Sequence, residues 1–303
     1  MSDGFRQAIL RTLAFHETWQ YAPTFSELVN TLDTAGRIMD REEINGALQE
    51  LEREHRIRLF RGRWGIASSV EEIVQELERR DRFQARKLRR ARLVARALVR
   101  LRGVRFVALA NTTALGAARD FGDLDFFIIV RDGSIWTNRF ISAAAAKLFG
   151  VQPRGDEIRD AVCFSYFISD AELNLVSHQL AHDDPYYRYW FLSLLLLADD
   201  GVGQALWDAN RDIRARHPFA EPWRVSPDLR IQIPMFRFPT FSFVESLVRW
   251  FQLGRLPKAV QELQNRDSRV MVTDAVLKFH VEDARAAFRE TYRARAKELK
   301  FEL

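Results

Sequence analysis

Two carboxylates separated by a single leucine, in the run Gly122-Asp123-Leu124-Asp125, are the residues of this chain best spaced for chemistry. Side chains alternate between faces along a strand, so residues two apart share a face and their carboxylates converge. Converging carboxylates hold a hard divalent cation such as Mg²⁺ or Mn²⁺. The pair closes the stretch Val104–Val130, VRFVALANTTALGAARDFGDLDFFIIV, in which two apolar runs flank a loop of small residues. Taken alone, Asp-x-Asp is also the pattern of a solvated turn leading into a strand.

Other reactive side chains are fewer. Cys163, the only cysteine, lies in the apolar run AVCFSYFI and reads as a buried small hydrophobe. One cysteine excludes an intramolecular disulfide and a Cys-rich zinc module, and fits a reducing cytosol. His178 and His182, followed by Asp183 and Asp184, have the spacing of a metal pair if the segment is helical and mean little if it is a loop.

The elements that position these residues follow from periodicity. Phe5, Ile9 and Leu13 form a helical stripe, Thr24 and Glu27 form a capping box, and Asp40 caps a third helix. Two short strands, Ile57–Phe60 and Trp64–Ile66, complete a winged helix-turn-helix over residues 1–68. Its hairpin carries Arg56, Arg58, Arg61 and Arg63 around Gly62, which could meet phosphates; its third helix carries Glu42, Glu43, Glu50, Glu52 and Glu54, which would repel them. From Ser69 a pattern without Gly or Pro runs to Leu101, predicting a connecting helix over residues 69–102. Its second half, which includes Arg86, Arg89 and Arg90, is either a solvated face or an electropositive rail for RNA, DNA or a nucleotide's phosphates.

The core, residues 103–183, reads as strand Arg105–Leu109, loop and helix turn Ala110–Arg119, strand Leu124–Val130, helix Ser134–Phe149 and strand Ala161–Ser169. This order, with Asp-x-Asp entering the second strand, resembles the nucleotidyltransferase superfamily, whose pattern is a strand, Gly-Ser, a spacer of about ten residues and Asp-h-Asp. Here Asn111-Thr112 stand in the Gly-Ser place, ten residues (Thr113–Gly122) intervene, and Asp123-Leu124-Asp125 follow. Segments SIWTNRF (Ser134–Phe140), DPYYRYWFLSLLLL (Asp184–Leu197), DANRDIRARHP (Asp208–Pro218) and KFHVED (Lys278–Asp283) extend the likeness to a bacterial group of that superfamily that begins with a winged helix.

The resemblance implies Mg²⁺- or Mn²⁺-dependent transfer of a nucleoside monophosphate from an NTP to a hydroxyl of RNA, a protein or a small molecule. Asp123 and Asp125 would be the metal ligands, while Asn111, Thr112, Gly122 and Lys278 would lie against the nucleotide. Active members usually place a third carboxylate on the next strand. Here Asp160 is nearest, ahead of Glu157 and Asp170, and Cys163 and Ser165 stand where an acid would be expected. Asn111 departs from glycine, although Asn tolerates positive φ better than most residues. The alternative is a catalytically degenerate module that binds nucleic acid or protein through Arg61, Arg63, Arg86, Arg89 and Arg90.

The last third, residues 184–303, reads as a helical domain: a buried helix over Tyr186–Leu197, another over Leu206–Arg216, a proline-rich irregular stretch, a helix over Phe243–Leu256, and a final helix from Thr273 to the end. The fold class expected is therefore α+β. With 303 residues, 47% of them hydrophobic, the chain can bury a sizeable core. Its net charge of +5 suits a polyanionic partner. Its longest apolar run, Tyr189–Ala198, is half of the ~20 residues that span a bilayer. With no secretory signal in MSDGFRQAIL, a cytoplasmic location without membrane contact is expected.

Overall fold

Apolar side chains three and four residues apart wind the first helix, α1 (Asp3–Thr18), whose buried stripe includes Phe5, Ile9 and Leu13. In the computed structural model, which describes residues 3–37, 40–152, 158–225, 228–234 and 242–302, two further helices follow. The first is α2 (Phe25–Asn30), where Thr24 and Glu27 form the reciprocal capping box. The second is α3 (Arg41–Arg53), where the Asp40 side chain accepts from the Glu42 amide at 3.0 Å. Strands β1 (Ile57–Phe60) and β2 (Arg63–Ile66) pair antiparallel across Arg61-Gly62. Both turn residues have positive φ, the twist that a two-residue hairpin requires.

The basic helix α4 (Val70–Leu98) has 29 residues. It is not a free tether: Lys87, Ala91, Ala95 and Leu98 are buried, Leu88 and Val94 half-buried, and Leu93 exposed. Beyond it come β3 (Val104–Leu109), the short α5 (Asn111–Leu115), β4 (Leu124–Val130), α6 (Ile135–Leu148) and β5 (Val162–Ser169), close to the expected boundaries. Then follow α7 (Pro185–Leu192), β6 (Leu195–Asp199), α8 (Val202–Ala209), α9 (Arg211–Ala215), β7 (Arg224–Val225), α10 (Ser242–Leu253) and α11 (Lys258–Leu263). The described chain ends with β8 (Val270–Val272), β9 (Val276–Phe279) and α12 (Arg285–Leu299).

These elements make an α+β protein around one mixed sheet ordered β7-β6-β3-β4-β5-β9-β8. Strand β4 lies antiparallel to β3 and parallel to β5. Alternate residues serve two cores. Phe106, Ala108, Phe127, Ile129 and Tyr166 face the N-terminal helices and α7, while Val107, Leu109, Phe126, Ile128 and Phe167 face α4, α6 and α10. On the first side Phe15 of α1 stacks on Tyr189 of α7, with ring centroids 3.8 Å apart. No helix among the described residues is long and apolar enough to cross a membrane.

Two helical expectations are corrected. The apolar run after Tyr186 is helical only to Leu192; Leu195–Asp199 is a strand beside β3. A strand covered on both faces is apolar throughout and cannot be told from a buried helix by periodicity. Likewise Val270–Phe279 is a hairpin that extends the sheet from β5, and the final helix starts at Arg285. Its β-branched Val270, Val272 and Val276 favour strands, and Thr273 Oγ1 accepts from the Ala275 and Val276 amides in the turn. The last third is therefore not wholly helical, and the sheet draws strands from both sides of residue 183. In the proline-rich stretch, residues 226–227 and 235–241 lie outside the described residues.

Candidate metal centre

Strand pairing brings the reactive residues together. The Ala110 amide donates to the Asp125 carbonyl at 3.0 Å and the Leu124 amide to the Ala161 carbonyl at 2.8 Å, which fixes the start of β4 between β3 and β5. The parallel register sets Cys163 beside Asp125. One ligand atom from each of Asp123, Asp125 and Cys163 lies within 4.8 Å of the others, and all three residues are half-buried.

Asn111 holds this arrangement from the α5 side. Its φ is +57°, the left-handed conformation that Asn accepts more readily than most side chains. Its Nδ2 donates to Asp125 Oδ2 at 2.6 Å, and its Oδ1 accepts from the Tyr186 hydroxyl at 3.0 Å. Burial, and then the charge of Asp123, push the Asp125 carboxyl up to about 7; the Asn111 donor pulls the other way. Burial also raises Asp123, against its own backbone amide and the Lys87 charge. The Cys163 thiol donates to Ser165 Oγ at 3.1 Å, and burial followed by the Asp125 charge holds it far above the usual thiol range.

Two like charges in a half-buried position, with no ion pair to either among the described residues, fit a divalent cation. The third donor is sulfur, however, and Mg²⁺ takes oxygen ligands. The set therefore does not complete an all-oxygen Mg²⁺ or Mn²⁺ site.

Asp125, Asn111 and Cys163 also line a cavity of about 430 Å³, together with Tyr186, Lys278, His280 and Arg285. Lys278 is brought here by β9, not by a helix, and its Nζ turns to the His178 carbonyl at 3.1 Å. Burial, then the Arg285 charge, lower it to about 7. Burial lowers His280 to about 3. Arg285 is held by Asp283 at 2.6 Å and Asp184 at 3.0 Å.

Asp160 does not join the carboxylate pair, which corrects the expected third ligand. Its Oδ1 accepts from Lys87 Nζ at 2.7 Å and its Oδ2 lies 2.6 Å from Arg86 Nε. Lys87 is fully buried and needs an anion, and Asp160 supplies it. Lys87 also donates to the Gly122 carbonyl, which accepts the Asp160 amide at 3.0 Å, so Gly122 serves this knot. Asp170 pairs with Arg105 at 2.7 Å, and Glu157 lies outside the described residues. Thr112 follows Asn111, half-buried, with no hydrogen bond to its hydroxyl among the described residues. His178 is buried against the Tyr166 hydroxyl at 2.5 Å while His182 is exposed, so they do not form a pair.

The arginines divide. Arg61 is paired with Glu78 at 2.5 Å, Arg63 donates to the Ala22 carbonyl at 2.6 Å, and Arg86 is paired with Asp120 and Asp160. Arg89, which is exposed, and the half-buried Arg90 have no side-chain partner among the described residues. Sequence reasoning missed Tyr186 as the residue behind Asn111, and missed Cys163 as a donor. The sequence did set Cys163 where a third acid is expected, and the β4–β5 register, a long-range feature, makes it the neighbour of Asp125. No protein family, curated protein or solved structure matches this chain.

Proposed function

We propose that this protein is a metal-dependent nucleotidyltransferase that moves a nucleoside monophosphate from an NTP to a hydroxyl acceptor, with Asp123 and Asp125 as the metal-holding pair. The observation that carries the reading is the convergence of these carboxylates at the mouth of β4, beside the Asn111-Thr112 loop, with Asp125 on a cavity wall. A bound cation would neutralise charge on the phosphates and align the attacking oxygen. Asn111 orients Asp125 and is itself oriented by Tyr186. Thr112 offers a hydroxyl to the phosphates. The three helices and hairpin at the N-terminus, read as a winged helix, would present the acceptor. Lys278 lines the cavity with its Nζ bonded to the His178 carbonyl, so its part is to shape the wall. The test is incorporation of NTP labelled at the α-phosphate into an RNA, protein or small-molecule acceptor. Label transfer that persists unchanged in Asp123→Ala defeats the reading.

A second reading, a binding module for nucleic acid, is favoured by one cleft. Arg92 and Arg96 at the end of α4 and Arg100 just beyond it, spaced four apart, line it with Arg230. Four guanidinium groups along one cleft suit a phosphate backbone. Retardation of RNA or DNA that weakens steeply with salt, and is lost in a double Arg96→Glu, Arg100→Glu variant, would support it; no retardation at low salt would exclude it.

A further inference from the structure

The donor set disagrees with the cation that the resemblance implies. From it we infer that Asp123, Asp125 and Cys163 form a mixed carboxylate–thiolate site for a thiophilic divalent cation, Zn²⁺ by its chemistry, in preference to Mg²⁺. The inference rests on the metal pair of the proposed function and not on any transfer reaction.

Three observations carry it. The parallel register of β4 and β5 makes Cys163 the cross-strand neighbour of Asp125, so the sulfur is placed by backbone pairing rather than by a mobile loop. The ligand atoms lie within 4.8 Å of one another. Tetrahedral Zn²⁺ with bonds of about 2.0–2.3 Å needs them roughly 3.5 Å apart, which side-chain rotation can supply. Asp160, the carboxylate expected to complete an oxygen site, is bound to Lys87 and Arg86 instead.

Soft sulfur selects Zn²⁺ or Co²⁺, whereas Mg²⁺ gains nothing from it and dehydrates reluctantly. Three protein donors leave a fourth position. Because Asp125 and Cys163 line the cavity, that position opens toward it, as in zinc sites that bind substrate or water. Binding releases the thiol proton to solvent, since the ligand is the thiolate. The Ser165 hydroxyl, which now accepts from that thiol, can then donate to the sulfur.

The test is a Co²⁺ titration of the chelator-treated full chain, followed by absorption. The site predicts an intense near-ultraviolet thiolate-to-Co²⁺ band that saturates at one ion per chain. Zn²⁺ should abolish it stoichiometrically, and excess Mg²⁺ should not. Cys163 is the only cysteine, so any such band reports this residue. The band should vanish in Cys163→Ser and in Asp125→Asn. In Cys163→Asp, an all-oxygen set, Mg²⁺ should compete with Co²⁺. Saturable Co²⁺ binding without the band overturns the thiolate ligand and leaves the carboxylate pair standing. A folded chain that binds neither Co²⁺ nor Mg²⁺ overturns both.

Discussion

Asp125 is placed where its charged form is disfavoured twice, by loss of water and by Asp123 beside it. Its folded pKa, about 7, lies above the unfolded value, so between pH 4 and 7 the folded state binds the extra proton and stability falls as pH rises. A neutral amide of the same shape removes that cost. Asp125→Asn should therefore unfold at the same or a higher temperature than the wild type at pH 8 while losing divalent-cation binding; a clear drop in Tm would contradict this account of the pair. The pair itself was legible, because two residues on one strand share a face whatever the strand packs against. Cys163 was partly legible: it stands where the resemblance expects a third acid, but its pairing with Asp125 depends on how an intervening segment of more than thirty residues sets the register. Asn111 was half legible. Its left-handed backbone followed from its place in the loop, but its bridge to Tyr186 joins residues from two distant elements.

At the scale of elements, the join between α4 and the start of β5 is an ion pair, Lys87 with Asp160, in which the lysine has no exposed side-chain surface. Removing one partner of a buried pair leaves an uncompensated charge, at a cost of about 3–5 kcal/mol. Asp160→Asn should lower unfolding free energy in urea by about 3 kcal/mol and leave Co²⁺ binding at the Asp123–Asp125 pair intact. The opposite pattern, unchanged stability with lost cation binding, would restore Asp160 as a ligand. The arginine density of α4 was plain in sequence, but its use was not. Arg86 and Lys87 build structure, and helical spacing alone does not distinguish them from the unpaired Arg89. The strand Leu195–Asp199 and the hairpin Val270–Phe279 were missed for a related reason. Apolar runs take their secondary structure from what covers them, and here that is an existing sheet with open edges.

At the scale of the whole molecule, three histidines among the described residues are held uncharged: burial lowers His178 and His280 to about 3 and His217 to about 4. The unfolded chain protonates them near pH 6.5. Between that value and the folded ones the unfolded state binds more protons, so stability declines as pH falls. The raised Asp123 and Asp125 oppose the trend but are outnumbered. Tm should fall on acidification from pH 7 to pH 5, and His217→Gln should flatten that slope; a Tm that rises over this range would contradict it. His217 Nδ1 donates to the Thr31 carbonyl at 2.9 Å, next to Asp33, which Arg216 binds at 3.0 Å. Acid therefore acts on the seam between the N-terminal helices and the rest. The α+β class and the order of the N-terminal elements could be read from capping and periodicity. That the N-terminal helices share a core with the sheet could not, since it depends on long-range partners such as Phe15 and Tyr189.

The central claim is that Asp123 and Asp125 bind a nucleotide through a divalent cation. Isothermal titration calorimetry of the full chain with a non-hydrolysable NTP, with and without Mg²⁺, Mn²⁺ or Zn²⁺, tests it most directly. The account predicts saturable binding that requires one of these cations and is lost in a folded Asp125→Asn variant. Binding that is independent of the cation, or unchanged in that variant, would contradict it.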